Sequence, residues 1–417
     1  MDARRRRPPF PFPIFALLGG LTVLAAGAFP PPQSAAPSPA SARQSEVTVR
    51  VFDNDRFVSD LGLADFEIDE AGMKVKPQAL VLVNKGLVAR REGQTGPLPD
   101  LGRRVVLLFE MTEYHGRIPE ALETLFSSEL RPTDTLEIET PMRNYVLARE
   151  ARASKPAATL AKELADIVRR DVLEGGTAYN SALRDLKRAV RQIGGVGRSG
   201  LGDTEGEVDD GTSLEQTLMK YADDLSRMET LRTVDESRLA AFATRMKALP
   251  GRKLVFLVYQ REFRPEIDSQ TMDRLNMSNQ DRPDILAALQ TVFSLYHRPV
   301  DIDRQRIVQA FADSGMDFQF LYMNREPERV AGIAMREQSE DVFRALSAAA
   351  EATGGGTSAG QNPAVSLAQA FRSSDSYYLL YYTPSTSAPP GTFIDLAVKV
   401  KGRPYRVAHR LGSFTGS

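Results

Sequence analysis

Hydrophobic residues run without interruption through two short segments of the chain, residues 105–109 and residues 254–259. Runs of this length, bounded by polar residues, are typical of strands that are buried on both faces of a sheet. Other segments carry helical spacing or β-prone residues. The helical segments are 119–130, 157–170, 178–193, 302–312 and 342–352, and the further strands are 135–140, 144–150 and 318–322. Their alternation predicts an α/β fold with a doubly wound, mostly parallel sheet.

Both ends of this α/β region carry β-prone sequence. Residues 47–51 alternate apolar and polar side chains, and 61–68 and 79–83 continue the pattern between turn-forming residues. Three more strands are predicted at 377–382, 393–400 and 405–410. A β-unit of about 50 residues is too small to bury a core alone. We therefore expect the two ends to form one small β-sandwich-like domain.

The domain boundaries follow from these changes of pattern. We predict an N-terminal β-unit at 46–93, an α/β domain at 102–375 and C-terminal strands at 376–414. Two helical insertions interrupt the α/β domain, at about 196–249 and 264–300. The second insertion is either a lid over the end of the sheet or an additional packed helix.

The first insertion contains two apolar stripes with alternating spacings of three and four residues. They consist of Leu214, Leu218, Tyr221, Leu225 and Met228, and of Leu239, Phe242, Met246 and Leu249. Each stripe spans about two heptads, which is too short to indicate a coiled coil. A helical hairpin packed on the domain and a self-association surface at 213–249 both remain possible interpretations.

The N-terminus resembles an export signal. Arg4 to Arg7 precede an apolar stretch that ends in an A-x-A sequence at Ala26 to Ala28. Residues 1–28 are therefore predicted to be a signal peptide, with an uncleaved anchor as the alternative. Residues 29–45 are rich in proline, alanine and serine and are typical of an extended linker. The expected location is exported: periplasmic, associated with the cell envelope, or secreted.

Composition narrows the classes of partner. The 417 residues include 53 Lys and Arg against 54 Asp and Glu, so no excess of positive charge points to nucleic acid. Cysteine is absent, which excludes disulfides, thiolate nucleophiles and zinc ribbons. We expect a protein partner, no nucleic acid, and contact with a membrane only through an uncleaved anchor.

Acidic and hydroxyl side chains follow the first apolar strand directly. Glu110, Thr112, Glu113 and Tyr114 would lie at the carboxyl end of that strand. Open α/β sheets bind their ligands at this edge. The sequence therefore predicts the border of a binding site here.

Several segments together resemble a known family. The order RRVVLLF, an acidic and hydroxyl turn, GGTAYNSAL and GRKLVFLVY is similar to a von Willebrand factor A (VWA) domain, whose sheet is Rossmann-like. More narrowly, the chain resembles the VWFA-related proteins abundant in acidobacteria. Those proteins carry a leading β-unit like VTVRVFDNDRFVSDLGLADFEIDEAG and a closing stretch like YYLLYYTP. The resemblance covers about residues 46–414.

The resemblance implies a metal-ion-dependent adhesion site, for which Mg²⁺ needs oxygen ligands in a tight octahedron. At the family's ligand positions this chain has Glu110, Thr112, Tyr114, Thr177 and Gln260. Glu110 is longer than the usual aspartate, and Tyr114 is longer than the usual serine. Gln260 lacks the negative charge of the late aspartate. We therefore expect a degenerate site without a metal or other cofactor, with Glu110, Thr112 and Thr177 as ligands if Mg²⁺ is retained.

The expected function is a non-catalytic protein–protein interaction. Its predicted surface consists of Glu110, Thr112, Glu113, Tyr114, Thr177 and Gln260. A Mg²⁺-dependent adhesion module is one alternative. A hydrolytic enzyme centred on His115, which lies near Glu113 and Glu110 in sequence, is another. The chain has only three histidines, His115, His297 and His409, which argues against catalysis.

Overall fold

The computed structural model describes residues 44–93, 100–196, 213–232, 235–297, 302–330, 333–385 and 388–416. The predicted signal segment and most of the linker lie outside these ranges. Within the described residues, no helix combines the length and the apolar character that crossing a bilayer requires.

The described residues form eighteen strands. They are β1 (Ser45–Asp53), β2 (Arg56–Phe57), β3 (Phe66–Glu70), β4 (Met73–Val75), β5 (Ala79–Asn84), β6 (Leu87–Gly93), β7 (Arg103–Glu110), β8 (Thr135–Glu139), β9 (Asn144–Leu147), β10 (Arg252–Gln260), β11 (Phe263–Glu266), β12 (Met316–Met323), β13 (Ala334–Glu337), β14 (Gly356–Gly360), β15 (Tyr377–Tyr382), β16 (Phe393–Val400), β17 (Arg406–His409) and β18 (Gly412–Phe414).

The same ranges contain eleven α-helices. They are α1 (Ile118–Thr124), α2 (Arg149–Ala153), α3 (Ala157–Gly175), α4 (Thr177–Val196), α5 (Leu214–Arg232), α6 (Glu236–Ala248), α7 (Ser269–Ser278), α8 (Pro283–Tyr296), α9 (Arg304–Asp313), α10 (Glu340–Ala352) and α11 (Pro363–Ser374). A 3-10 turn, Leu63–Asp65, precedes β3, and a π-helical turn, Leu125–Glu129, continues α1.

The two apolar runs of the sequence form neighbouring strands at the centre of one sheet. That sheet has the order β14-β12-β10-β7-β8-β9. Its first five strands are parallel, and β9 joins the edge antiparallel. Side chains on both faces of β7 and β10 are buried, including Val105, Val106, Leu254 and Val255. The prediction of buried strands at 105–109 and 254–259 is therefore confirmed.

The predicted fold class, a doubly wound and mostly parallel sheet with a small β-sandwich-like domain, is wrong. Four strand pairs are parallel, all in the sheet just described, and the other ten pairs among the described strands are antiparallel. The chain is a mixed α/β protein with mostly antiparallel sheets, and one of its sheets curls as a half-barrel. Short turns such as residues 85–86, between β5 and β6, can join only antiparallel strands, because parallel strands need a crossover.

Strands from the two ends of the described chain pair with each other. β15 lies between β1 and β5, and β16 pairs with β3. Their side chains share one core, in which Tyr378 is fully buried. The Tyr378 hydroxyl donates to the Val58 carbonyl at 2.8 Å and accepts from the Leu61 amide at 3.2 Å. These bonds satisfy the polar end of a buried aromatic ring.

Buried Arg50 connects β1 to the mostly parallel sheet. Its guanidinium donates to Asp317 on β12 at 3.1 Å and to the Ser374 hydroxyl at the end of α11 at 3.0 Å. It also donates to the Gly354 carbonyl. Burial lowers the pKa of Arg50, and the Asp317 carboxylate partly offsets that effect. A charge buried at this depth requires such partners.

The apolar stripes of the first insertion are covered inside the chain. Leu218, Tyr221, Leu225 and Met228 of α5 are buried in a core shared with α4, α7 and α8. The second stripe lies on α6, where Met246 is buried and Leu239 and Phe242 are half-buried against the sheet. Self-association through 213–249 stays a prediction, but these side chains already have partners within the chain.

A half-buried histidine near the C-terminus predicts a pH dependence of stability. His409 Nε2 accepts a hydrogen bond from the Val398 amide at 3.1 Å, and Nδ1 donates to the Arg410 carbonyl at 2.8 Å. This arrangement requires the neutral ring, because a protonated Nε2 cannot accept. Burial lowers the pKa of His409, and the bond to Arg410 partly offsets that effect.

Since the folded pKa of His409 is depressed, its contribution to stability is fully present above the unfolded value of about 6.5. It is lost as the pH falls from there through the folded pKa. We expect the free energy of unfolding, from urea titrations, to decrease between pH 7.5 and 5.5 more in the wild type than in His409→Gln. The glutamine oxygen can still accept from Val398. Equal slopes in the two proteins would contradict this assignment.

Candidate functional site

The turn between β7 and α1 contains most of the predicted site residues, and neighbouring helices hold it in place. The Thr112 carbonyl accepts a hydrogen bond from Asn180 Nδ2 on α4 at 2.8 Å. Gly176, between α3 and α4, packs directly against the turn: a Cβ there would lie 2.3 Å from the Thr112 carbonyl oxygen. Only glycine permits so close an approach of the two backbones.

Glu110 ends β7 and points towards α6. Its side chain is 46% exposed, and Arg238 Nη2 lies 3.7 Å from the carboxylate. Surrounding atoms of the cavity described below desolvate the carboxyl and raise the pKa of Glu110, whereas Arg238 lowers it. A long contact to an exposed arginine leaves this carboxylate only weakly paired.

Glu113 and Gln260 belong to one polar cluster centred on Arg325. Arg325 donates to the Glu113 carboxylate at 2.5 Å. Gln260 is 5% exposed at the end of β10. With its amide oriented to satisfy both ends, the nitrogen donates to the Glu113 carbonyl at 2.8 Å and the oxygen accepts from Arg325 at 3.0 Å. These contacts attach the turn to β10 and to the segment after β12.

Thr177 and Tyr114 have separate roles. Thr177 begins α4, and its hydroxyl donates to the Leu173 carbonyl of α3 at 3.0 Å. Tyr114 is half-buried against the core beneath the turn. Burial raises the pKa of Tyr114, Arg169 lowers it, and Asp166 raises it further. Thr177 therefore has a structural partner, whereas Tyr114 lies at the edge of the surface.

Two cavities flank the turn. The first, which we call the outer groove, has a volume of about 700 Å³ and lies between the turn and α3. The second, which we call the inner cavity, has about 620 Å³ and lies between α6 and the sheet. Glu113 and Tyr114 line the outer groove, and Glu110 and Thr112 line the inner cavity. Thr177 and Gln260 line neither, so the structure divides the predicted surface.

The arrangement does not fit a magnesium site. Within the described ranges, no group of three or more histidine, aspartate or glutamate side chains is placed to hold a metal ion. Both turn carboxylates, Glu110 and Glu113, have arginines beside them, and the Thr177 hydroxyl is donated to a carbonyl. Nearby positive charge weakens the binding of a divalent cation. The absence of a metal or cofactor nevertheless stays a prediction.

His115 lies in the same turn and contacts the backbone of Arg117. Its Nδ1 accepts a hydrogen bond from the Arg117 amide at 3.2 Å. Burial lowers the pKa of His115, and Arg117 lowers it further. In the part of the chain that the structure describes, neither Glu110 nor Glu113 is hydrogen-bonded to the ring. The geometry therefore supplies no carboxylate to orient His115 as a general base.

The sequence analysis missed four residues that organise this region: Asn180, Arg238, Arg245 and Arg325. Arg245 on α6 forms ion pairs with Glu137 at 2.6 Å and with Glu139. Arg238 and Arg245 lie two turns apart beside the predicted apolar stripe of α6, so helical spacing places them on one side of the helix. Arg325 and Asn180 give no such signal, because their contacts depend on the tertiary fold.

No family model matches the chain, and a search of curated proteins finds no match. The resemblance to VWA domains therefore stays a prediction that is based on the quoted residues.

Proposed function

We propose that this chain is an exported, non-catalytic protein-binding module that contacts its partner through the outer groove. The observation that carries the proposal is the groove itself. It is an open depression of about 700 Å³ between the turn and the helices α1 and α3, with Tyr114 in its lining. Export is the part of the proposal that depends on the N-terminal sequence pattern.

The lining of the outer groove is suited to a protein partner. Glu113, Glu123 and Asp166 supply negative charge, and Lys162 and Arg169 supply positive charge. Charges of both signs around a partly apolar centre are characteristic of the polar rim of protein interfaces. Tyrosine and arginine are enriched among the residues that contribute most to binding. Tyr114 and Arg169 are therefore the expected main contacts.

The turn is rigid enough to bind without reorganising. The Gly176 contact and the Asn180 hydrogen bond fix its backbone at Thr112. The cluster of Arg325 and Gln260 fixes it at Glu113. A surface that is ordered before binding loses less conformational entropy when the partner arrives.

The proposal predicts that partner capture depends on Tyr114 and Arg169. The immobilised chain is incubated with an envelope fraction of its source, and retained proteins are quantified for the wild type, Tyr114→Ala and Arg169→Glu. Loss of a central tyrosine contact is expected to cost about 2 kcal/mol, or roughly 30-fold in affinity. A matched control is Glu351→Lys, at an exposed position on α10. A retained protein that Tyr114→Ala and Arg169→Glu capture as well as the wild type and the Glu351→Lys control would contradict the assignment of the groove.

A second prediction concerns metal ions. Because the Thr177 hydroxyl donates to the Leu173 carbonyl and Glu113 is paired with Arg325, we expect no binding heat when the chain is titrated with Mg²⁺, Mn²⁺ or Ca²⁺ in a calorimeter. The Thr177→Ala and Glu110→Ala variants serve as controls. Binding that both variants abolish would instead favour the metal-dependent adhesion module.

A further inference from the structure

The inner cavity lies apart from the outer groove and has a different chemical character. It opens at the carboxyl ends of β7 and β8 and continues between α6 and the sheet. Its volume of about 620 Å³ is within the range of about 300–1,000 Å³ that is common for small-molecule sites. The proposed partner contact does not include this cavity.

The interior is apolar and incompletely filled. Leu108 lies on β7, between β8 and β10, yet its side chain is only half-buried. Leu239 and Phe242 of α6 face the same space and are also half-buried. Side chains in a central strand under a helix are normally closely packed. The space that remains is lined by apolar side chains, which suits the apolar part of a ligand.

The mouth carries an excess of negative charge. Four carboxylates and two guanidinium groups line the cavity, namely those of Glu110, Glu139, Asp235, Glu262, Arg238 and Arg245. Arg245 is already paired with both Glu137 and Glu139. Arg238 is 65% exposed and lies 3.7 Å from Glu110. Glu110 is thus a partly exposed carboxylate whose nearest cation is loosely held.

We propose that the inner cavity binds a small organic cation. The apolar body of the ligand lies between α6 and the sheet, against Leu108, Leu239 and Phe242. Its ammonium group lies at the mouth and pairs with Glu110. Binding requires only that exposed Arg238 move aside, because no buried ion pair has to break.

The charge balance favours a cation over an anion. Four carboxylates against two guanidinium groups in the lining of the cavity disfavour an anionic head group. Of the two arginines, Arg245 cannot turn to the ligand without giving up its ion pairs with Glu137 and Glu139. A cation instead gains the Glu110 carboxylate, whose nearest arginine is exposed and lies 3.7 Å away.

Two probes with the same apolar body and opposite charge test the proposal. The chain is titrated in a calorimeter at 150 mM salt with 4-phenylbutylamine and with 4-phenylbutyrate. We expect the amine to bind at least about tenfold more tightly, which corresponds to about 1.4 kcal/mol. Glu110→Gln is expected to abolish this preference, whereas Glu351→Gln on α10 is expected to keep it. Equal binding of both probes, or an unchanged preference in Glu110→Gln, would overturn the proposal.

Filling the cavity tests the location separately from the charge. Leu239→Trp adds bulk from α6 into the space at a half-buried position. We expect binding of the amine to be lost in a variant whose circular dichroism and melting temperature match the wild type. Binding that survives in this folded variant would place the amine elsewhere and overturn the proposal. Should Leu239→Trp not fold, Leu108→Phe fills the same space from β7 and is held to the same criterion.

Discussion

Replacement of Asp134 by alanine is expected to lower the free energy of unfolding by about 3–5 kcal/mol, since it leaves a buried arginine without its main partner. Asp134 has no exposed side-chain surface, and its carboxylate accepts from Arg103 at 2.6 Å. Arg103 starts β7, and only 1% of its side chain is exposed. The pair therefore attaches the central strand to the turn before β8.

The same arginine provides a matched control. Asp375 also accepts from Arg103, at 2.7 Å, but 28% of its side chain is exposed. Asp375→Ala is expected to cost about 1 kcal/mol, because water screens and replaces the exposed contact. Urea unfolding of both variants measures the difference. Equal losses for Asp134→Ala and Asp375→Ala would contradict the importance of burial for this pair.

Substitution of Gly355 by alanine is expected to destabilise the chain by about 3 kcal/mol or more through overpacking. A Cβ at Gly355 would lie 1.8 Å from the backbone oxygen of Phe318, so β12 or the start of β14 would have to shift. Backbone atoms within a paired sheet cannot move independently of their neighbours. We expect a melting temperature that is lower by several degrees.

The next residue is the appropriate control. A Cβ at Gly356 would meet only the Gln319 side chain, at 3.5 Å, which is an ordinary contact. Gly356→Ala is expected to change the free energy of unfolding by less than about 1 kcal/mol, because it also reduces the freedom of the unfolded chain. Similar melting temperatures for the two alanine variants would show that the close approach at Gly355 is not a constraint.

Hydrophobic patterns in the sequence predicted individual strands and helices correctly where a single strand or helix accounts for the whole pattern. The run 254–259 is part of β10, and the helical segment 178–193 is part of α4. The direction of strand pairing is not a local property. β15 pairs antiparallel with both β1 and β5, which are distant in sequence. The alternation of helices and strands between β5 and β15 predicted parallel pairing. Most strand pairs among the described residues are instead antiparallel.

The candidate site shows the same limit. Glu110 and Tyr114 were predicted at the carboxyl end of a central strand, and they lie there. Their environment could not be predicted, because it depends on residues far along the chain. Arg325 is 212 residues from Glu113, and Arg238 comes from an insertion. Arg325 pairs with Glu113, and Arg238 lies 3.7 Å from Glu110.

Site-specific cross-linking tests the central claim, that the partner lies on the outer groove. A photoreactive residue is placed at Lys162, in the groove, and in a second protein at Leu87, which is 72% exposed on β6. Both proteins are irradiated with the envelope fraction. The account predicts a cross-linked partner at position 162 that is absent at position 87 and disappears in the Tyr114→Ala background. A partner cross-linked at position 87 and not at position 162 would contradict it.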